Sequence, residues 1–365
     1  MKLKHKKLCA ALMAMMLGVG CWLNASPSEA ATRAELTAMK VSKSGNLKYW
    51  TKNSVAKEKI VSYVKDVTNK DSKNYIPVAD RIAVFDMDGT ICCETAPWYF
   101  EWMLYLERTR YDADYIPTPE AREYAEMIED GIRRTKVFPP NVDVEEMEAE
   151  DAAFAGMTPA QFEVFVRRFM DKPVEGLTNL KWGEALYLPM VEIVKYLKAN
   201  DFTVYIVTGS DRPAIRILSC EVLGLAPAQV IGSDPKMLAA HQGDKDGQHY
   251  VYGKDDYLVR GQLIEKMLKM NKVSSIAREI GQQPVLAFGN SGGDTSMLNY
   301  TVYGNKYKSM SFMVLCDDLE RELGNANKAE SCKELANTYG WTAISMRDDF
   351  KTIYGDNVVR ADKVK

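Results

Sequence analysis

Neither sign of charge dominates this chain: its 365 residues carry 47 Lys and Arg against 50 Asp and Glu, a formal net charge of −3. Both signs are mixed throughout, so there is no basic stripe of the kind that grips nucleic acid. A small-molecule or protein partner is expected instead. Internal repeats and low-complexity tracts are missing too, which excludes solenoids and repetitive disordered arrays. Cysteine is scarce, and once Cys9 and Cys21 are set aside with the leader, five remain: Cys92, Cys93, Cys220, Cys316 and Cys332. An odd number cannot pair completely within one chain. Cys316 with Cys332 is the most plausible bridge; five buried small apolar side chains are the alternative. What the chain does have is apolar mass, 46% hydrophobic and 10% aromatic. That suits one large α/β domain with a substantial insertion, or two modest domains.

Residues 1–31 read as a secretory signal. "MKLKHKK" is a basic opening, "LCAALMAMMLGVGCWL" an apolar core, and "SPSEAA" supplies small residues for cleavage near Ala30 or Ala31. Export to the periplasm, the cell envelope or the medium follows from it. An uncleaved anchor is the rival reading, because the apolar run falls only slightly short of a bilayer span. Cys21 after "LGVG" suggests a lipid anchor, with Gly18 where that pattern wants a large aliphatic residue. Membrane contact is thus expected only through this segment.

Residues 32–75 are rich in Lys, Ser, Thr and Asn with a modest apolar pattern, which predicts an arm with one or two helices. Short β-branched and apolar runs then predict buried strands at 81–85, 202–207, 284–289 and 311–316. Helical patterns between them ("PMVEIVKYLKAN", "RPAIRILSCEVLGL", "VSSIAREIG") predict a parallel sheet covered on both faces. The stretch between the first two strands, 93–185, has no strong strand signal and is too long for a loop. Thr118 before Pro119, and Thr158 with Gln161 as a capping box, open helices there. It reads as a helical cap inserted into a core formed by 76–92 and 186–360. A second insertion at 241–257 contains "GDKDGQ" ahead of the alternating "HYVYG", and a hairpin turn at 244–247 is expected in preference to a calcium loop.

The chemistry gathers where the strands end. "FDMDGT" sets Asp86 and Asp88 two residues apart at a strand's carboxyl end, where α/β proteins bind ligands. In extended chain such residues face one space, and like charges held that close call for a cation or a proton. A hard divalent ion with oxygen ligands, Mg²⁺ above all, answers that need, and Gly89 lets the backbone turn away. The second strand ends in "VTGS", bringing the Thr208 hydroxyl and the Gly209 and Ser210 amides to the same edge. The run from Pro284 leads into "GNSGGD", with Asn290 and Asp294. Lys272, near Lys266 and Lys269, offers a fixed positive charge.

"FDMDGT", "VTGS", Lys272 and "GNSGGD", in that order, resemble the four motifs of the haloacid dehalogenase-like hydrolase superfamily. The position of the cap resembles the phosphoserine phosphatase-like branch. "AQVIGS", "CDDLERE" and "GWTAISMRDDF" resemble a group of exported bacterial phosphatase-like proteins, so the likeness covers about residues 80–355. It implies a Rossmann-like, doubly wound parallel sheet with an inserted helical cap. It also implies a phosphatase that hydrolyses a small phosphorylated metabolite, with Asp86 as nucleophile and Asp88 as general acid and base. Thr208, Gly209 and Lys272 would hold phosphate. Asp86, the Asp88 backbone carbonyl, Asn290 and Asp294 would hold Mg²⁺, with Asn290 where many members have aspartate. Glu94 and Trp98 are pocket candidates, with Tyr99 and Trp102 beside them. A phosphotransferase or mutase, or a non-catalytic envelope binding protein of the same fold, are the alternatives; the intact acidic pair argues against the last.

Overall fold

The computed structural model describes residues 30–364, so the leader expected at the amino terminus lies, but for its last two residues, outside the described residues. No helix among the described residues is long and apolar enough to cross a membrane. The arm carries α1 (Arg33–Ala38), opened by a Thr32–Glu35 capping box, and α2 (Val55–Thr68), capped by Ser54. β1 (Ile82–Phe85) follows, buried at all four residues.

Between β1 and the next strand lie α3 (Phe100–Leu106), α4 (Pro119–Asp130), α5 (Val142–Phe154) and α6 (Pro159–Met170). α4 and α6 begin as the sequence predicts. Thr118 Oγ1 accepts from the Ala121 amide, Thr158 and Gln161 cap each other, and proline stands first in both helices. The chain then returns to the core through α7 (Leu188–Ala199), β2 (Thr203–Asp211) and α8 (Arg212–Leu223). β3 (Val230–Ala239), β4 (Leu258–Glu265), α9 (Met270–Ser275), β5 (Leu286–Gly289), α10 (Thr295–Val302), β6 (Met310–Leu315), α11 (Ala326–Tyr339) and β7 (Thr342–Ser345) complete it.

The strands form one seven-stranded sheet in the order β4-β3-β2-β1-β5-β6-β7. All neighbours run parallel except β3 and β4. Side-chain alternation divides β1 between two cores: Ala83 and Phe85 join one face, Ile82 and Val84 the other. The sheet is therefore covered on both sides, in the doubly wound α/β manner. Beneath the carboxyl edge, Phe85, Phe288 and Phe312 from β1, β5 and β6 stack face to face, with centroids 4.2 and 4.8 Å apart. Chain order reverses between β1 and β5, so the loops after these two strands part and leave a crevice.

Several expectations need correction. β3, β4 and β7 extend the sheet beyond the four strands the apolar runs predict. The hairpin expected around 244–247 exists on a larger scale: β3 and β4 pair antiparallel from Ala239↔Leu258 outward. Residues 244–247 only form a local turn inside the connection, where Asp246 accepts from the Gln248 amide at 2.9 Å, and "HYVYG" adds no strand. All five described cysteines are free thiols. Cys332 Sγ donates to the Asn290 carbonyl at 3.1 Å and Cys316 Sγ to the Asn325 carbonyl at 3.6 Å, so each meets a backbone acceptor in place of a bridge.

Candidate active site

The loop after β1 keeps strand register for one more residue, because the Asp86 amide donates to the Phe288 carbonyl at 2.9 Å. It then reverses. The amides of Ile91 and Cys92 both return to the Met87 carbonyl, at 2.8 and 3.1 Å, and Gly89 turns at φ +74°. The turn leaves Asp86 and Asp88 lining one cavity of about 360 Å³. Each is almost fully withdrawn from water, at 6% and 7% exposure.

Different donors hold the two carboxylates. Lys272, inside α9, places its ammonium 2.6 Å from Asp86 Oδ1 and 2.6 Å from Asp294 Oδ1, bridging the ends of β1 and β5. Lys272 belongs to the helix itself, which starts ahead of the "VSSIAREIG" pattern. Burial, then the neighbouring Asp294, push the Asp86 carboxyl up to about 8 against the pull of Lys272. Asp88 Oδ2 accepts from Ser210 Oγ at 2.6 Å and its Oδ1 from the Phe100 amide at 3.3 Å. Burial raises Asp88 as well, against those hydrogen bonds. A carboxyl group that holds its proton longer than usual is suited to give one away.

Ser210 reaches Asp88 because β2 bulges there. Val207 pairs with Ile231 and Asp211 with Ser233, so three residues of β2 oppose Gly232 alone. A side chain on Gly232 would meet the Ser210 carbonyl at 2.8 Å. The bulge turns Thr208, Gly209 and Ser210 into the cavity, and Thr208 Oγ1 accepts from the Ser210 amide at 3.1 Å. After β5, Asp294 Oδ2 gathers the amides of Asn290 and Ser291 at 3.0 and 3.1 Å, closing the loop on itself. Asn290 Nδ2 donates to Glu94 Oε2 at 2.8 Å, and both Glu94 oxygens accept from Lys328 of α11 at 2.7 Å.

Glu94, Tyr99, Trp102 and Asp143 line the cavity from the α3 and α5 side, and Lys266 and Lys269 from the segment before α9. Trp98 does not line it. Its ring packs instead among Tyr99, Trp102 and Phe138, with centroids 5.4, 6.0 and 5.1 Å away. Sequence reasoning missed the Glu101–Lys266 pair, 2.9 Å apart and buried, whose other carboxylate oxygen accepts from the Asp211 amide. Burial pushes Glu101 up to about 7 despite Lys266. Lys266 stood out in the sequence only as a neighbour of Lys272. Nothing marked its partner.

Oxygen donors on this edge suit a hard cation. Asp86, Asp294 and the Asn290 amide meet at one cavity, which is lined by six carboxylates (Asp86, Asp88, Glu94, Glu101, Asp143, Asp294) and three ammonium groups (Lys266, Lys269, Lys272). Carboxyl groups crowded this closely call for a cation or a retained proton, and burial already holds Asp86, Asp88 and Glu101 above their usual range. Among the described residues no group of three or more His, Cys, Asp or Glu is arranged as a metal site, and of Asp86, Asn290 and Asp294, which meet here, only Asp86 and Asp294 are of those types. The residues fit a magnesium-type ion through mixed carboxylate and carbonyl oxygens.

Strand-end acids, a bridging lysine and a bulged loop on a doubly wound sheet define a hydrolase-type α/β site. The family model of haloacid dehalogenase-like hydrolases matches residues 83–299, and the chain belongs to that family. No curated protein matches it. Solved structures that resemble it include a Bordetella pertussis protein of unknown function, 17% identical over 72% of this chain and 97% of that one, with a TM-score of 0.46. A functionally unknown protein from Anaerococcus prevotii is 14% identical over 80% and 91%, with a TM-score of 0.48. A phosphoserine phosphohydrolase-like protein from Francisella tularensis is 14% identical over 73% and 97%, with a TM-score of 0.38.

Proposed function

We propose that this family member is an exported, Mg²⁺-dependent phosphomonoesterase that works through an aspartyl-phosphate. The observation that carries the reading is the pairing at the end of β1. Asp86 is bridged by Lys272 to Asp294, while Asp88, two residues on, faces the same cavity with a raised affinity for a proton. Export rests on the basic and apolar leader, and the small-molecule substrate on the size of the cavity.

An Asp86 carboxylate oxygen attacks phosphorus, and the bond from phosphorus to the ester oxygen breaks. Asp88 gives its proton to the departing alkoxide. In the second half Asp88, now ionised, takes a proton from water as the water oxygen attacks phosphorus, which frees phosphate and restores Asp86. Thr208, the Gly209 amide and Lys272 hold the phosphoryl oxygens while charge shifts across them. Asp86, the Asp88 carbonyl, Asn290 and Asp294 would hold a Mg²⁺ ion, which would supply charge neutralisation for nucleophile and phosphoryl group. Tyr99 and Trp102 line the cavity on the α3 side, where they would face the leaving group.

Release of phosphate from an aryl phosphate, with Mg²⁺ and then with EDTA, tests the reading. Asp86→Asn should lower turnover by about 10⁴-fold or more, since the covalent route is lost. Wild-type turnover in that variant would remove Asp86 from its role.

A further inference from the structure

An asparagine can serve a cation with only one of its two terminal atoms. Aspartate at the same place offers oxygen in either orientation, but Asn290 offers Oδ1 alone, and Nδ2 turned inward would repel the ion. Something must therefore fix the amide. Its Nδ2 donates to Glu94 Oε2 at 2.8 Å, while its Oδ1 accepts from Thr90 Oγ1 at 3.4 Å on the side away from Glu94, so both ends of the amide are held. Both Glu94 oxygens accept from Lys328 at 2.7 Å, which keeps the carboxylate an acceptor. Turned over, the amide would press Oδ1 against those oxygens at a site from which water is nearly excluded.

The loop after β1 makes room for this pair. A Cβ on Gly89 would stand 1.9 Å from Asn290 Nδ2 and 2.3 Å from Glu94 Cδ. The glycine of "FDMDGT" thus leaves its space to a hydrogen bond between the turn after β1 and the loop after β5. Three segments far apart in sequence converge on one amide.

We infer that Glu94, clamped by Lys328, is a positioning residue that points the Asn290 carbonyl oxygen at the magnesium ion. This rests on the proposed function, since it presumes the cation. It gives Glu94 a task other than contact with substrate.

The test reads Mn²⁺ affinity by electron paramagnetic resonance on the purified mature protein, with turnover as a second measurement. Glu94→Gln brings an amide where only an acceptor suits, and should weaken Mn²⁺ binding by ~10–100-fold, the range for lost support of a ligand. Asn290→Asp should weaken it too, despite the added negative charge, because two carboxylates then meet at hydrogen-bond distance. Combining Glu94→Gln with Asn290→Asp lets the new amide donate to the new carboxylate, and affinity should return to within about threefold of wild type. Such recovery is beyond a merely structural role. A double variant no better than the weaker single one overturns the inference, and so does either single variant binding like wild type. Lys328→Met, which leaves both site residues in place, should lower affinity in the same direction; an unchanged value counts against the clamp. Should wild-type protein bind no Mn²⁺ and release no phosphate, the functional reading itself falls and takes this inference with it.

Discussion

Lys272 is the residue on which both the charge balance and the chemistry of the site converge. Its ammonium lies between Asp86 and Asp294, and all three are buried. Burial alone would lower the lysine, but the two aspartates raise it above its usual value, so it stays charged. Lys272→Met removes the one contact that both carboxylates share. We expect a loss of roughly 10²–10³-fold in kcat with a substrate such as an aryl phosphate. Stability should fall as well, on the order of 3 kcal/mol in metal-free protein, because removing one partner leaves buried charge unpaired. Urea unfolding in EDTA measures it, and added Mg²⁺ should restore part of it. Activity near wild type would take Lys272 out of phosphoryl binding.

At the scale of elements, α5 is the helix with the least ordinary burial. It carries Glu146, Glu150 and Asp151 inward, all fully buried, toward Arg260 of β4 and the Glu101–Lys266 pair. Neither oxygen of Glu146 or Glu150 has a hydrogen-bond partner, and burial holds both carboxyls well above their usual range. Asp151 is pushed up to about 7 by burial and then by Asp211, although Arg260 donates to it at 2.7 Å. Unfolded, that carboxyl would titrate near ~3.9. The folded chain then holds a proton that the unfolded chain has lost, so stability is fullest below about pH 4 for this group and declines as pH rises toward 7. Metal-free protein should melt at a higher temperature at pH 5 than at pH 7.5, and Asp151→Asn should make that slope shallower. A melting temperature that rises across the window would contradict this.

The same scale explains what the sequence could tell. β1, β2, β5 and β6 are central strands buried on both faces, and such strands read as unbroken apolar runs. β3 carries Asp234, Pro235 and Lys236 beyond its buried start, and β4, at the sheet edge, exposes Leu258 and Ile264, so neither pattern stands out. Helix starts were readable because proline and threonine mark them locally. The acids of "FDMDGT" and "GNSGGD" were readable for the same reason, since their spacing lies within one turn. Glu94 with Lys328, and Glu101 with Lys266, were not: their partners lie 234 and 165 residues away, and only the packed sheet brings them together.

For the molecule as a whole, the proposed function would couple stability to metal. Asp86, Asn290 and Asp294 come from the loops that follow two paired strands of the central sheet, so an ion that binds only the folded chain must raise its melting temperature. At a hundredfold excess over its dissociation constant the ion contributes about 2.7 kcal/mol, a shift on the order of 5 °C for a chain this large. Scanning calorimetry with Mg²⁺ against EDTA measures it, and Asp294→Asn should shrink the difference. An identical melting temperature with and without Mg²⁺ would leave the oxygen cluster without an ion. The column of Phe85, Phe288 and Phe312 bears on how such a site could be altered. Asp86 directly follows one ring in the chain, and Asn290 stands two residues past another. Sliding one strand against its neighbour would pull the rings out of contact, so the spacing between Asp86 and Asn290 is keyed to three stacked hydrocarbon discs. Anyone wishing to refit the cavity for a larger ion would have to recut that column before changing a single oxygen.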